Sequence, residues 1–246
     1  MPRALALSPH LDDAAFSCGG TLAALAQAGW EVTIATAFTR SVSNPSGFAL
    51  ACQLDKGLPA EVDYMALRRA EDTEACARLG AQPLWLDFPE APHRGYADAR
   101  ALFGPPQEAD AILPPLSHAV AALMANPPDL LLASQAIGGH VDHVRLVEAV
   151  QAVLPAALPV LWWTDFPYSA RPLRESVQPF AAAMEAWPER SIPGDAAARL
   201  AACAAYATQL GFQFGGEDGL RRALEAAGPA ERFRERGAMP PLRVAA

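Results

Sequence analysis

The chain has 246 residues, 52% of them hydrophobic, which is enough to bury the core of one large α/β domain. Its 27 Asp and Glu residues outnumber the 19 Lys and Arg residues and leave a formal net charge of -8. Because contacts with phosphates require clustered cations, this balance argues against a nucleic-acid partner and favours a small-molecule ligand.

The cysteines and the apolar stretches predict a cytoplasmic protein with reduced thiols. The four cysteines lack CxxC spacing, and the N-terminal apolar run is cut off at His10, so we expect neither a disulfide framework nor a signal peptide. The longest apolar stretch, residues 149–163, contains Pro155 and Pro159 and cannot form a continuous membrane helix. We therefore expect no membrane insertion.

Strands and helices alternate along the predicted chain. Apolar runs predict strands over residues 3–7, 31–38, 83–86, 129–133 and 160–163; helical spacing predicts helices from Gly19-Gly20 to Gly29, over 63–79, 142–152 and 195–210. This alternation predicts an α/β fold of one domain, residues 1–246, with a Rossmann-like, mostly parallel sheet and helices on both faces. The tail after about residue 237 is expected to be loose. Ligands of such a sheet bind at the carboxyl ends of its strands.

Two segments, residues 39–62 and 88–110, are too long to be simple connections. The first is rich in Gly, Pro and Ser and the second in Gly and Pro, and loops of this length in a compact domain usually shape a site or a partner surface. We interpret them as walls of a substrate pocket. Disordered surface insertions are the alternative interpretation.

Two clusters of histidine and aspartate follow predicted strands. The first reads SPHLDD at residues 8–13, and the second reads GGHVDH at residues 138–143. Because the carboxyl ends of parallel strands lie at one edge of a sheet, the two clusters should meet although they are far apart in sequence. A metal site with an open coordination position requires such a convergence of nitrogen and oxygen ligands.

The spacing within the clusters suggests which residues bind the metal. In an extended loop His10 and Asp13 can reach one point while Asp12 faces elsewhere, and His143 at the start of a helix can complete a set of three ligands. Two imidazoles and one carboxylate suit Zn²⁺, although Fe²⁺ or Co²⁺ can occupy the same ligands. The predicted metal ligands are therefore His10, Asp13 and His143.

The remaining members of the clusters suit acid–base chemistry. Asp12 lies beside the metal without binding it and can accept a proton from a metal-activated water, so we interpret it as the general base. An imidazolium of His140, oriented by Asp142, can donate to a developing oxyanion or to a leaving amine. These parts together predict metal-assisted hydrolysis of an amide or ester.

Each of these residues also has a purely structural interpretation. Asp12 or Asp13 could cap the following helix, and His140 could bond only a backbone carbonyl. Taken together, six such groups at one sheet edge favour a functional site. The other two histidines, His93 and His118, have no acidic neighbours and receive no role.

At these residues the sequence resembles the PIG-L/LmbE-like family of zinc-dependent N-acetylglucosaminyl de-N-acetylases. That family carries an HPDD motif after its first strand and a later HxDH motif, which stand here as HLDD at residues 10–13 and HVDH at residues 140–143. The likeness extends to R-x-x-E-x-x-x-A-x-x-x-L-G at residues 68–80 and, faintly, to an aromatic-x-x-Gln at residues 206–209. It covers most of residues 3–210 and implies the Rossmann-like fold of that family without a dinucleotide.

The resemblance implies substrate-binding residues in addition to the roles already given. It agrees with zinc ligands at His10, Asp13 and His143, a base at Asp12, and an electrophilic or acid group at His140 supported by Asp142. It adds Arg68 as a residue that reaches the sugar or its substituent, and Glu90 as an acidic residue for sugar hydroxyls. Where many relatives have a substrate-facing Gly-Glu pair, this chain has Arg40, which could recognise an anionic group or be a surface arginine.

The expected reaction is removal of an acetyl or similar small acyl group from an amino sugar or its conjugate. One alternative is a catalytically inactive metal- or carbohydrate-binding protein of the same fold. A nucleotide-binding module is disfavoured, because Gly19 and Gly20 come too late after the first strand and GxGxxG is absent. The aromatic pair Trp162 and Trp163 could line either the core or the interface of a homo-oligomer.

Overall fold

The computed structural model describes residues 1–170 and 179–242. The strands of this part are β1 Arg3–Ser8, β2 Glu31–Thr36, β3 Gln82–Trp85, β4 Leu130–Ser134, β5 Val160–Trp163, β6 Glu189–Pro193 and β7 Ala230–Arg236. Its α-helices are α1 Asp13–Gln27, α2 Gly47–Leu54, α3 Tyr64–Leu79, α4 Ala99–Leu102, α5 Leu113–Met124, α6 Val141–Val153, α7 Ala181–Glu185, α8 Ala196–Ala204, α9 Ala207–Phe214 and α10 Glu217–Ala227. Short 3-10 helices span Ala91–Arg94 and Tyr168–Ala170.

The strands form one sheet in the order β3-β2-β1-β4-β5-β7-β6. The first five strands run parallel, whereas β7 pairs antiparallel with both β5 and β6. The expectation of a single α/β domain with a mostly parallel sheet is thus confirmed. Because β1 and β4 are neighbours, the loops that follow them leave the sheet side by side.

Apolar side chains cover the sheet on both faces. One core cluster joins the sheet to α1, α3 and α8, and a second joins it to α5 and α6. The neighbouring residues Trp162 and Trp163 belong to different clusters and are fully buried, as alternation along a strand requires. This aromatic pair therefore lines the core. All four cysteines are unpaired in the structure.

The first helix begins earlier than the sequence indicates. It starts at Asp13 and is kinked at Cys18, whose φ of -142° is not helical. Beyond the kink, the carboxylate of Glu231 accepts hydrogen bonds from the backbone N–H groups of Gly20 and Thr21, as a capping residue would. The predicted start after Gly19-Gly20 therefore corresponds to the second half of α1.

The predicted helix over residues 195–210 is divided into α8 and α9. Tyr206 breaks it with ψ at 58°, and its hydroxyl donates a hydrogen bond to Asp72 at 2.8 Å. The carboxylate of Glu71 accepts from both the backbone N–H and the hydroxyl of Thr208 and so caps α9. A tertiary contact from α3 therefore ends one helix and begins the next.

The two long segments contain short helices that the sequence does not predict. Residues 39–62 contain α2, and residues 88–110 contain a 3-10 helix and α4. After β7, Met239 and Leu242 pack against the core; residues 243–246 of the tail lie outside the described residues. Within the described ranges, every helix is too short or too polar to cross a lipid bilayer.

Candidate active site

The two histidine–aspartate clusters meet at the carboxyl edge of the sheet. Each follows one of the adjacent strands β1 and β4, as predicted. At the first, the hydroxyl of Ser8 accepts from the backbone N–H of Ala14 at 3.1 Å and so begins α1. At the second, Gly138 and Gly139 have φ of 99° and 69°, and a Cβ on Gly138 would approach Tyr168 to 2.7 Å. Only glycine allows this close turn into α6.

The predicted metal ligands face one another. The Oδ2 atom of Asp13 lies 3.3 Å from Nδ1 of His10 and 3.2 Å from Nε2 of His143, and the two imidazole centroids are 5.3 Å apart. The backbone N–H of His10 donates to the same Oδ2 at 2.9 Å, which fixes the carboxylate. Neither Asp12 nor Asp13 caps α1 through its side chain. The capping interpretation of these aspartates is therefore wrong.

The donor set fits a divalent cation. The Nε2 atom of His143 is buried and, although Oδ2 of Asp13 lies 3.2 Å away, it makes no well-aligned hydrogen bond, so it suits a metal ion as its partner. Burial alone would lower the pKa of His143, but the charge of Asp13, with Asp165 adding to it, raises that pKa to about 9. The site therefore favours positive charge, which a metal ion would supply in place of protons.

Both imidazoles are held by carboxylates on their other nitrogen. Nε2 of His10 lies 2.9 Å from Asp142, and Nδ1 of His143 lies 3.3 Å from Asp165. Such carboxylate–histidine pairs orient ligating imidazoles and set their tautomer. Asp165 was not predicted from the sequence, although it stands two residues after the strand β5, at the same edge. The sequence signal that indicates Asp165 is an aspartate two residues after the end of a predicted strand.

Asp142 is oriented differently from the prediction. Its carboxylate bonds His10, the backbone N–H of Ala91 and Arg94, and does not orient the ring of His140. Instead, the backbone N–H of Asp142 donates to Nδ1 of His140 at 3.2 Å. Since a backbone N–H is always a donor, Nδ1 must be the acceptor, and neutral His140 carries its proton on Nε2.

The expected imidazolium of His140 is also corrected. Burial lowers the pKa of His140 to about 3, and the positive charge of His10 contributes to the same shift. His140 is therefore neutral and can act as a hydrogen-bond donor through Nε2–H rather than as a cation. Its ring lies edge-on to those of His10 and Phe103, with centroids 5.0 and 5.3 Å away.

Asp12 faces the same cavity beside the ligand set. Its Oδ2 accepts a hydrogen bond from Gln213 at 3.0 Å and lies 3.2 Å from Nη2 of Arg68. The other terminal nitrogen of Arg68, Nη1, lies 3.1 Å from Glu90. Burial raises the pKa of Asp12, and Arg68 only partly opposes the shift. A buried carboxylate with a raised pKa suits proton transfer. Nothing local in the sequence predicts that Gln213 on α9 reaches Asp12.

The predicted substrate-binding residues separate into two groups. A cavity of about 320 Å³ is lined by Arg68 and Glu90, together with His10, Asp12, Asp13, Phe48, Cys52, Asp55, Lys56, Tyr64, Pro92, Ala99, Leu102, Phe103, His140, Asp142, Tyr168, Gln209, Phe212 and Gln213. Segments 39–62 and 88–110 thus supply walls of the pocket, as interpreted. Arg40 is not among the lining residues: it is about half exposed and pairs with Asp87 at 3.1 Å. The structure does not support substrate binding by Arg40.

We predict that Asp165→Asn weakens metal binding. The amide cannot replace the negative charge that supports His143, and loss of such a partner typically costs roughly 10–100-fold in metal affinity. Competition with a chromophoric chelator measures the dissociation constant. Asp195→Asn is the matched control, since Asp195 only caps α8 and bonds Gln27. Equal affinities of Asp165→Asn and the unmodified protein would contradict the prediction.

Comparisons with known proteins agree with this geometry. The family model PIG-L, GlcNAc-PI de-N-acetylase, matches residues 5–154. A 2'-N-acetylparomamine deacetylase of Streptomyces fradiae is 38% identical over 172 residues, 69% of this chain and 58% of the relative. One of Niallia circulans is 31% identical over 183 residues, 66% of each chain. The chain thus spans about three fifths to two thirds of these relatives.

Solved structures show the same architecture. The A40926 pseudoaglycone deacetylase Dbv21 superposes with a TM-score of 0.77 at 29% identity, covering 97% of this chain and 99% of that chain. The zinc-inhibited form of teicoplanin deacetylase Orf2 gives 0.78 at 23% identity, covering 95% and 97%, and supports the fold alone. Because the family model matches more than half of the residues, this chain belongs to the PIG-L family.

Proposed function

We propose that this protein is a zinc-dependent deacetylase that hydrolyses the N-acetyl group of an amino sugar or its conjugate. The observation that carries the proposal is the set of His10, Asp13 and His143 around one point, with Asp12 beside it in an open cavity. Family membership and the names of the two curated relatives support the reaction class. Fe²⁺ or Co²⁺ would suit the same ligands.

The metal ion would be held by His10, Asp13 and His143, where it would activate a water and polarise the amide carbonyl. Asp12 accepts a proton from the attacking water as the C–O bond forms. His140 donates a hydrogen bond from Nε2 to the oxyanion that develops on the carbonyl oxygen as water adds to the carbonyl carbon. Asp12 then returns its proton to the departing amine as the C–N bond breaks, which releases acetate and the free amino sugar.

Arg68 and Glu90 have a supporting part in this scheme. Arg68 is almost fully buried between Asp12 and Glu90, so it fixes the base while its charge limits the rise of the pKa of Asp12. Glu90 also lines the cavity, and we propose that its carboxylate accepts from sugar hydroxyls.

The test combines metal analysis with a substrate screen. Protein purified without chelators should contain close to one divalent ion per chain, and it should release acetate from some N-acetylated sugar conjugates. Chelation should stop release, and Zn²⁺ should restore it. Absence of bound metal together with no release after Zn²⁺ is added would refute the proposal. Bound metal without turnover would favour the inactive metal- or carbohydrate-binding alternative.

A further inference from the structure

Lys56 is the only lysine among the 246 residues, and the other 18 basic side chains are arginines. It follows α2 in the segment 39–62 and lines the active-site cavity. It also lines an adjoining recess of about 30 Å³, which shares Tyr64 and Glu90 with the cavity. The only lysine ammonium group of the chain therefore lines both the cavity and the recess.

The groups around Lys56 hold its ammonium in place but do not include a carboxylate that pairs with its charge. Its Nζ donates to the carbonyl oxygen of Cys52 at 2.9 Å and lies 5.3 and 5.0 Å from the ring centroids of Tyr64 and Phe212. No carboxylate of the described residues comes within ion-pair distance of it. Burial lowers the pKa of Lys56, opposed in part by the charge of Glu90. Two of its three N–H groups remain for other acceptors.

The buried arginines of this protein differ from Lys56 because each has a carboxylate partner. Arg68 contacts Asp12 and Glu90, and Arg94 contacts Asp110 and Asp142; Arg199 likewise lies 3.4 Å from Glu231. Each has a carboxylate partner, as desolvated charges usually require. Lys56, which is only partly buried, lacks one, and its free N–H groups belong to a residue that lines the cavity. This is the situation of a cation whose partner arrives with a ligand.

We propose that Lys56 is a specificity-determining residue that binds a carboxylate on the part of the substrate outside the reacting amide. This inference rests on the proposed deacetylase function and names a chemical class of substrate for it: N-acetylated amino-sugar conjugates with an anionic substituent. The rings of Tyr64 and Phe212 keep the ammonium in place and partly shielded from water, which strengthens its attraction for an anionic oxygen. A cationic substituent at the same place is disfavoured.

Three matched substrates test the proposal. They are N-acetylglucosamine glycosides whose aglycones have the same length and end in a carboxylate, a primary amide or a trimethylammonium group. With the unmodified holoenzyme, kcat/KM from acetate release should be at least about tenfold higher for the carboxylate than for the amide, because a hydrogen bond to a charged group is worth a factor of this size. The trimethylammonium substrate should be the poorest.

Lys56→Met should bring the carboxylate and amide substrates to within about twofold of each other, and Lys56→Gln serves as a second variant should the first fail to fold. Arg221→Met controls for net charge, since the half-exposed Arg221 side chain lies on α10 and contacts only Glu217 among the ion pairs of the described residues. It should keep the full preference. A carboxylate preference that survives in both Lys56 variants, or no preference in the unmodified enzyme, would overturn the proposal.

Calorimetry with the deacetylated carboxylate and amide products separates this inference from the function itself. If no substrate is turned over but carboxylate binding depends on Lys56, the subsite stands and the deacetylase proposal fails. If substrates are turned over and Lys56→Met changes neither turnover preference nor product binding, the subsite fails alone. Reductive methylation gives an independent reading, because Lys56 is the only side-chain amine, and the carboxylate product should protect it.

Discussion

Asp12→Asn should lower kcat/KM roughly 10²–10⁴-fold, the usual contribution of a general base, while metal content stays unchanged. The asparagine keeps the shape of the side chain and can still accept from Gln213, but it cannot take a proton from water. Because Asp12 contacts Arg68 and Gln213 rather than the metal ligands, the metal site should remain assembled. Acetate release and elemental analysis on the same preparation measure both quantities.

The control for Asp12→Asn is Asp87→Asn. Asp87 is an exposed carboxylate that pairs with Arg40 outside the cavity, so its loss changes net charge by the same amount without touching the site. This control should keep both metal and turnover. If Asp12→Asn retained most of its activity, another group would have to accept the proton, and the assignment of Asp12 as base would be wrong. In a binding protein without turnover, Asp12→Asn would have no activity to lower.

The part of the site that lies within the two motifs could be predicted because it depends only on which residues follow the ends of parallel strands. His10 and Asp13 follow β1, His143 follows β4, and parallel topology alone brings adjacent strand ends together. The apolar strands that position them are marked by their composition. What the motifs could not show is the orientation of each ring, which is decided by hydrogen bonds from distant segments.

The unpredicted parts of the site depend on contacts between distant segments. Arg94 reaches Asp142 from the segment 88–110 at 2.7 Å, and Gln213 reaches Asp12 from α9 at 3.0 Å. Neither residue stands in a recognisable pattern, since an arginine in a loop or a glutamine on a helix is usually solvated. The same limit explains Arg40: its position in the sequence suggested the substrate, but Asp87 holds it outside the cavity.

The unpredicted parts of the fold have a related cause. The strands β6 and β7 read ERSIP and AERFRER, and only the inward residues Ile192, Glu231 and Phe233 are buried among them. Charged side chains at the alternate positions hide the strand pattern at this antiparallel edge of the sheet. The glutamate of the family pattern at residues 68–80 has a structural role, because Glu71 caps α9 and does not line the cavity.

His143→Ala should abolish tight metal binding, with a larger loss than the roughly 10–100-fold expected when an outer carboxylate partner is removed. Asp13→Asn should also weaken binding severely, since the amide supplies neither the charge nor the basicity of the carboxylate. His140→Ala should retain the metal and lower kcat roughly 10²–10³-fold, as loss of one oxyanion donor does. Chelator competition, the absorption spectrum of the Co²⁺-loaded protein and kcat together measure these effects.

This comparison decides between two ligand sets. Nitrogen atoms of His10, His140 and His143 lie within 4.8 Å of one another, so three imidazoles could in principle hold the ion. The backbone N–H of Asp142 opposes that arrangement: it occupies the lone pair on Nδ1 of His140 and leaves Nε2 protonated, a donor without a lone pair for a metal. Loss of metal in His140→Ala with retention in Asp13→Asn would show instead that the ring gives up this proton to become a ligand, and the oxyanion would then need another donor.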